Sequence, residues 1–491
     1  MMTFNPIAIV QEVRDEFDEL LNFVMIDAQE ITANQVERHI FRQLLQIGLL
    51  LLKAFFQMRC HSYSRQPIVG AEATEIPYLD DRERTYFSIF GKLKIARPYF
   101  YKRQIGGRSP LDAALGLGDD SYSDLLREMH NQLSVYLPYE KAVSIMSRFF
   151  CVDLSKRVTQ KMVIEDAAVA TCFYEQKNPP LPEQEAEILV IQTDGKGVPL
   201  VLPTDSAHKI RLGKGEKRSR KKEAVVTTVY SIATRPRKAI QVVNSLFRQN
   251  TSFSEPTKQT KRPQNKQVWA TLQGKETALD RLQEQVGKRE GSHIQHRVAL
   301  CDGDKALQSR IEERFDQFVL ILDFIHAQEY LWKAANSLLG DTNPRRDTWM
   351  QKQTLLMLSS KTEKIVDDFC QQIQTGDLSA KQTEILAKTA NYFERNLPYM
   401  DYATYLRKGW PIASGVIEGA CRHLVKDRME LSGMRWQLDS AETLLNLRAV
   451  AENGDWDAYH AFRRRKRQQR LYGNHSLLDQ QVEYHELPLV F

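Results

Sequence analysis

The spacing of apolar and polar positions changes several times along the chain. Residues 31–58 carry apolar side chains three and four positions apart, which predicts one long helix. Residues 86–102 alternate apolar and polar side chains around Gly91 and Lys92, which predicts a short β-hairpin. Residues 121–171 return to helical spacing in three short pieces. This arrangement resembles a helix-turn-helix, and an ordinary three-helix packing module fits the same pattern.

A different pattern follows the proline-rich stretch at residues 179–182. Continuous apolar runs predict strands that are buried on both faces of a sheet. These runs lie at residues 188–202, 223–235, 297–304 and 318–326. Helical spacing between and after the runs makes this half of the chain α/β. Residues 344–405 are predicted to be helical, and residues 415–431 to form a last helix that stops at Ser432 and Gly433.

Length and composition restrict the class of protein. A chain of 491 residues exceeds one ordinary core, which predicts roughly two to four structural units. Its contents of 42% hydrophobic and 26% charged residues exclude wholesale disorder. The longest apolar run, Ile47 to Leu52, is far shorter than the roughly 18 residues of a membrane span, so we expect no membrane helix. The acidic N-terminus lacks the order of a secretory signal, which favours the cytosol.

Positive charge is concentrated in three runs. The net charge of +6 is too small by itself to identify a polyanionic partner. Residues 211–222 hold seven Lys or Arg against one Glu, residues 463–470 hold six without an acid, and a weaker run covers residues 258–266. Together they favour contacts to a phosphate backbone. Solvated loops and a frayed tail are the alternative for any single run.

Three predicted strands lead into an aspartate, at Asp194, Asp302 and Asp323. Acids beyond the carboxyl ends of strands can converge in an open α/β sheet. A fourth acid, Glu418, lies in the last predicted helix. Carboxylates of this kind are hard oxygen ligands suited to Mg²⁺ or Mn²⁺, which outlines a site for phosphoryl transfer.

Each acid also has a plainer interpretation. An aspartate before glycine, as at Asp194, is commonly a turn residue or a helix N-cap. Glu418 and Arg422 could form a surface ion pair four residues apart. Asp304 is well placed to cap the helix that follows Asp302. These interpretations stay open from the residues alone.

Three segments together resemble a known family, the DDE transposases of bacterial insertion sequences, and in particular the ISKra-type group. The segments are QTDGKGV at 192–198, CDGD at 301–304 with ILDFIHAQEYLW at 321–332, and SGVIEGACRHLVKDRM followed by SGMRW at 414–436. The resemblance extends from about Tyr86 to Arg448, which is most of the chain.

The resemblance implies a fold and a set of site residues. The fold is an α/β ribonuclease H-like catalytic domain with a helical insertion at about 340–405. Asp194, Asp302 and Glu418 match the three catalytic acids, which would hold Mg²⁺ or Mn²⁺, two ions in all. Asp304 departs from the family pattern. Asp323 and His326 match a neighbouring Asp-x-x-His pattern that supports the site.

The resemblance also implies an activity and its partners. The protein would hydrolyse double-stranded DNA at the ends of an element, and the freed 3′ hydroxyl would then attack target DNA. It would act as a homo-oligomer on DNA, without a membrane, in the bacterial cytoplasm at the nucleoid. The alternative is a catalytically idle DNA-binding protein derived from a transposase.

Four regions are expected along the chain. They are a helical and hairpin region at 1–120, a helix-turn-helix-like module at 121–180, the catalytic domain at 181–450 and a basic tail at 451–491. The module would grip the ends of the element, and the basic loop and tail would contact phosphates. The predicted DNA-binding residues are Arg218, Arg220, Lys221, Lys222, Arg422, His423 and Lys426.

Overall fold

The computed structural model describes residues 6–69, 74–150, 152–201, 220–247 and 262–473. The chain forms two compact units, one of residues 1–169 with 455–491 and one of residues 170–454. Most of the predicted basic loop at 211–222, Arg218 included, lies outside the described residues, and only the backbone of Arg220 is described. Part of the basic run at 258–266 also lies outside them.

The first unit is mainly helical and includes a small antiparallel sheet. Its elements are α1 (Pro6–Met25), α2 (Ala33–Ser62), β1 (Ile68–Val69), β2 (Glu75–Ile76), β3 (Tyr78–Ser88), β4 (Gly91–Lys102), β5 (Gly106–Arg108), α3 (Pro110–Ala114), α4 (Asp124–Tyr136), α5 (Tyr139–Phe149), α6 (Lys156–Ala167) and, at the end of the described chain, α19 (Trp456–Tyr472). Strands β3, β4 and β5 form one sheet in that order, and β1 pairs with β2.

The predicted long helix and the predicted hairpin are both confirmed, and they pack together. The backbone N–H of Thr32 donates to the side chain of Gln35 and caps the start of α2. The hairpin turns at residues 89–90, before Gly91, and its strands are longer than predicted. Gly48 in α2 allows the hairpin to approach, because an added Cβ would lie 2.6 Å from ring carbons of Phe90.

The three predicted short helices are confirmed as α4, α5 and α6. Ser123 and Ser155 cap α4 and α6, and their side chains accept hydrogen bonds from backbone N–H groups two to three residues into each helix. Whether these helices act as a helix-turn-helix stays a prediction, because helix packing does not show which helix enters a groove.

The basic run at 463–470 is not a frayed tail, because it lies within α19. Arg463 donates to the fully buried Asp166 at 2.8 Å and to Asp124 at 2.7 Å. Arg467 also donates to Asp124, at 2.7 Å. These arginines are held by carboxylates inside the unit, so the expectation that the whole run contacts phosphates is wrong for them.

The second unit is built on a mixed sheet. Its elements are α7 (Ala170–Gln176), β6 (Ile188–Leu200), β7 (Arg220–Ile232), α8 (Ala239–Leu246), β8 (Gln264–Thr271), α9 (Lys275–Arg289), β9 (His296–Cys301), α10 (Lys305–Arg314), β10 (Val319–Leu322), α11 (Phe324–Leu339), α12 (Arg345–Leu358), α13 (Thr362–Thr375), α14 (Ala380–Asn396), α15 (Tyr402–Lys408), α16 (Gly415–Ala420), α17 (Asp427–Met429) and α18 (Leu438–Glu452).

The sheet has the strand order β10-β9-β6-β7-β8. Strand β6 pairs parallel with β9, which pairs parallel with β10, while β7 and β8 run antiparallel to their neighbours. Alternate residues of the strands enter two separate cores. Val190 and Leu300 pack on the side that also holds α11 to α15, and Leu189 and Ala299 pack on the side of α9 and α10. The prediction of strands buried on both faces is confirmed for these strands.

Helices fill the chain between the sheet and the segment that carries Glu418. The predicted helical stretch at 344–405 is confirmed as α12 to α15. The predicted single helix at 415–431 is interrupted, because residues 421–426 form a π-helical segment between α16 and α17. Segments of this kind add one residue to a turn and occur frequently at functional sites.

Helix α2 is long and apolar enough to cross a membrane, by length and composition only. Buried helices of soluble proteins meet the same criterion. In this structure one side of α2 packs against β4 through residues that include Phe56 and Cys60. The expectation of no membrane helix stays a prediction.

We expect Asp166→Asn to destabilise the first unit by about 3 to 5 kcal/mol, because Arg127 and Arg463 would stay buried without their shared carboxylate. Native-state hydrogen exchange of the amides in α4 and α19 would measure the change. The control Arg465→Ala alters an exposed cation of the same helix and should change the opening free energy by less than about 0.5 kcal/mol. Equal effects of the two variants would contradict the buried network.

Candidate functional site

The parallel pairing of β6 with β9 determines where two of the predicted acids lie. Thr193 pairs with Cys301, the last residue of β9, so Asp194 and Asp302 follow directly on neighbouring strands. The prediction that Asp194 ends a strand is wrong, because β6 continues to Leu200 in an antiparallel pair with β7. The acid instead lies at the level where the parallel part of the sheet stops.

The two carboxylates are close enough to repel each other. Burial raises the pKa of Asp302, and the charge of Asp194 raises it further. The backbone N–H of Asp304 donates to Asp302 Oδ1 at 3.1 Å, and this hydrogen bond acts in the opposite direction. Asp194 is half-buried, and its Oδ1 accepts the N–H of Gly195 at 2.7 Å. Two carboxylates in this arrangement favour a bound cation, since a positive charge between them offsets their repulsion.

The helix that carries Glu418 is seated on β6 next to Asp194. The N–H of Ile417 donates to Oε1 of Gln192 at 2.8 Å, and Sγ of Cys421 lies 3.3 Å from Oδ2 of Asp194. In sequence, Glu418 lies between Ile417 and Cys421, and its side chain is exposed. The charges of Asp194 and Glu418, after burial itself, raise the pKa of the Cys421 thiol. The helical turn that carries Glu418 is therefore attached to β6 beside Asp194.

The three acids do not form a closed set of metal ligands in this structure. Within the described ranges, no three His, Cys, Asp or Glu side chains are arranged to hold a metal ion. Asp194 and Asp302 follow paired residues of neighbouring strands, and Glu418 belongs to the helix that contacts Asp194 through Cys421. The role of the three as ligands stays a prediction.

Asp304 has the capping role that the sequence predicted. Its Oδ1 accepts the N–H of Leu307 at 2.8 Å at the start of α10, and Lys275 Nζ lies 3.3 Å from the same atom. Burial acts to raise the pKa of Asp304, but these two partners hold it below its ordinary value. Asp304 is thus engaged by the protein, which leaves Asp302 as the better candidate for the second acid.

Asp323 and His326 link the end of β10 to the segment before α16. The fully buried Asp323 accepts the N–H of Ile325 at 2.6 Å and the N–H of Ser414 at 3.2 Å. Nδ1 of His326 lies 3.3 Å from the same carboxylate. Asp323 therefore holds the residue that precedes the Glu418 helix, which agrees with a supporting role.

The hydrogen bond to Asp323 raises the pKa of His326 to about 9, against an opposing effect of burial. The nearby charge of Asp302 raises it as well. The imidazole is consequently protonated at neutral pH and places a positive charge close to Asp302.

Side chains of the helical insertion form a groove beside Asp302, and the sequence analysis did not find them. The groove is lined by residues that include Asp302, His326, Tyr330, Lys388, Tyr392 and Arg395. The rings of Tyr330 and Tyr392 stack with centroids 3.8 Å apart, and Arg395 donates to the carbonyl of Gly303 at 2.5 Å. These residues have no motif spacing, because only the packing of α14 against α11 brings them to the acids.

The predicted DNA-binding cations are mostly exposed. Arg422 and His423 lie 3.5 and 3.3 Å from the carboxylate of Asp427. The π-helical segment at residues 421–426 changes the angular spacing of the side chains that follow Glu418. Lys426 is exposed.

Two lysines of the basic loop lie at the start of β7. Lys221 is half-exposed and its Nζ lies 2.5 Å from Oε1 of Glu430. Lys222 is exposed. Contact of these residues with DNA stays a prediction.

We expect His326 to titrate near pH 9 and Asp323→Asn to return its pKa toward the ordinary value of about 6.5. The raised pKa means that protonated His326 stabilises the fold fully below about pH 6.5, and that this contribution disappears as the pH rises through about 9. NMR titration of the imidazole would measure both values. Glu329→Gln removes a weaker charge and should leave most of the shift, whereas an unshifted wild-type imidazole would contradict the pairing.

Comparison with solved structures gives a distant likeness. No protein-family model and no curated protein matches the chain. The solved Drosophila P element transposase strand transfer complex is similar over 70% of this chain and 80% of that chain, with 11% sequence identity and a TM-score of 0.25. A likeness at that TM-score carries no argument about fold or function.

Proposed function

We propose that the protein is a DDE transposase of an insertion sequence, in which Asp194, Asp302 and Glu418 are the catalytic acids. One observation carries the proposal. The parallel pairing of β6 with β9 brings Asp194 beside Asp302, and the helix with Glu418 is attached to β6 at Gln192 and Asp194, more than 200 residues away in sequence. Ordinary turn or capping roles for the acids require neither the strand pairing nor the attachment of this helix.

The proposed catalytic fold is ribonuclease H-like. Its support is a five-stranded mixed sheet in which three antiparallel strands precede two parallel ones, with helices against both faces. A helical insertion, α12 to α15, separates the last strand from the helix with Glu418. Membership in the ISKra-type group remains part of this proposal and depends on the three sequence segments.

The acids have the chemistry required for divalent ions. All three offer hard oxygen donors. Burial, and after it the charge of Asp194, raises the pKa of Asp302, and a bound cation would offset both effects. When bound, Mg²⁺ or Mn²⁺, two ions in all, would activate the attacking oxygen and stabilise the leaving 3′ oxygen. Asp194, Asp302 and Glu418 would hold them. Asp323 would keep the Glu418 helix in place through Ser414.

Double-stranded DNA is the proposed substrate, both at the element's ends and at the target. Lys388 and Arg395 offer positive charge in the groove next to Asp302, and Arg422 and Lys426 offer it beyond Glu418. The exposed imidazole of His423 is a further proposed contact to phosphate. A phosphate backbone passing the acids would meet cations on both sides. Helices α4 to α6 of the first unit are proposed to grip the ends of the element.

We expect terminal inverted repeats in the DNA beside the gene, and cleavage by the purified protein of a duplex that ends in such a repeat. Asp194→Asn should reduce Mg²⁺-dependent cleavage by at least about a thousandfold, because it removes a shared carboxylate ligand. Binding to the repeat in a gel-shift assay should be largely retained. Cleavage by Asp194→Asn at the wild-type rate would refute the proposed site, and a wild-type protein that binds the repeat without cleaving it would indicate the idle DNA-binding alternative.

Asp302→Asn and Asp304→Asn form a matched pair two residues apart. We expect Asp302→Asn to abolish cleavage, because its carboxylate adjoins Asp194. Asp304→Asn should retain substantial cleavage and lose about 0.5 to 2 kcal/mol of stability, since its carboxylate caps α10. Cleavage rates and thermal unfolding of both variants would be compared with wild type. An inactive Asp304→Asn together with an active Asp302→Asn would reverse the assignment.

A further inference from the structure

Helices α1 and α2 form a hairpin whose outer side is apolar and exposed. Nζ of Lys53 in α2 lies 3.4 Å from Oε2 of Glu12 in α1. The ring centroids of Phe23 in α1 and His39 in α2 are 3.8 Å apart. Because the earlier residue of α1 pairs with the later residue of α2, the two helices run antiparallel. Ile9 and Leu20 of α1 are buried. The next residues around α1 are not: Val10, Phe17, Leu21 and Val24 expose 41–47% of their surface. At helical spacing they form one stripe along α1.

A second exposed stripe runs along α2. Its members are Phe41, Leu44, Leu51, Phe55 and Met58, which expose 43–53% of their surface. The side of α2 that includes Phe56 and Cys60 is buried against β4, and the stripe lies on a different side, where Phe90 of the hairpin turn approaches Gly48. Both stripes belong to the same unit and extend over the same length of the hairpin.

The stripe on α2 has the spacing of a coiled-coil seam. A heptad repeat places its apolar residues at alternating steps of three and four. The stripe follows this series at positions 41, 44, 51, 55 and 58, and only position 48 of the series is not apolar and large. Position 48 is glycine, and the ring of Phe90 lies over it. Repeats of this kind pack apolar side chains of one helix between those of another helix. The described structure places no helix on this side.

The size of the surface fits a stable dimer. Nine large apolar side chains, each roughly half-exposed, offer on the order of 700 Å². Stable interfaces bury about 800 Å² on each partner, and exposed apolar patches this large mark interaction sites.

Charge identifies a second copy as the partner. Helix α1 has five acids and one Arg, a net charge of −4, and α2 has four Lys or Arg and one Glu, a net charge of +3. In a twofold dimer, α1 of one copy can lie along α2 of the other, so that opposite charges meet and like charges do not. The acids of α1 also oppose binding to anionic lipid.

We propose that the exposed face of the α1–α2 hairpin is a dimer interface, in which two copies of this chain join their hairpins into a four-helix arrangement. The inference rests on the first unit alone and is independent of the proposed catalytic function.

The test measures the mass of the full chain in solution. Analytical ultracentrifugation under reducing conditions should give twice the chain mass of 56.8 kDa at micromolar concentration. The double variant Leu44→Glu/Leu51→Glu should raise the dissociation constant at least about a hundredfold, because it places charges in the seam. Helical circular dichroism should be unchanged. The control Gln46→Glu adds a charge to an exposed position of α2 outside the stripe and should leave the dimer intact.

A monomeric wild type, or a double variant that dimerises as well as wild type, would overturn the proposal. A milder variant, Leu44→Asn/Leu51→Asn, provides the same comparison if the charged one fails to fold. Flotation with vesicles of phosphatidylcholine and phosphatidylglycerol tests the other occupant. We expect no flotation, and flotation of wild type that the double variant abolishes would assign the face to a membrane and also overturn the proposal.

Discussion

The candidate site depends on the parallel pairing of β6 with β9. This pair lies at the centre of the sheet and is buried on both faces, so its register is strongly constrained by two apolar cores. A slip by one residue would exchange the side chains of the two faces. The same register that places Val190 and Leu189 in opposite cores also places Asp194 next to Asp302. The position of the acids is therefore a consequence of the hydrophobic packing of the strands below them.

Buried polar contacts then attach the helix with Glu418 to this sheet. Gln192 of β6 accepts the N–H of Ile417, which also donates to the carbonyl of Ser414, and Asp323, the residue after β10, accepts the N–H of Ser414. Two buried side chains therefore hold the start of α16. A buried acceptor that loses its donor costs free energy, which makes these contacts specific as well as stabilising. They allow a long helical insertion to leave the sheet and the chain to return to the same place. The insertion in turn contributes Tyr392 and Arg395 to the groove beside Asp302.

In the first unit, the sequence does not show which charged and apolar side chains are exposed in the fold. The basic run of α19 is the most positive segment without acids, yet Arg463 and Arg467 are held by Asp124 and Asp166. Helix α2 is apolar enough to be mistaken for a core helix, yet one of its sides is exposed. Both differences arise because a helix has several faces, and only packing decides which of them meets a partner.

The sequence by itself determined the local elements and the identity of the candidate acids. Helical spacing, the capping position of Asp304 and continuous apolar runs depend on neighbours within a few residues, and those predictions agree with the structure. Tertiary structure alone decided the extension of β6 past Asp194, the π-helical segment at residue 421, the burial of Arg463 and the groove beside Asp302. Each of these depends on contacts between residues distant in sequence, whose energies no local pattern contains.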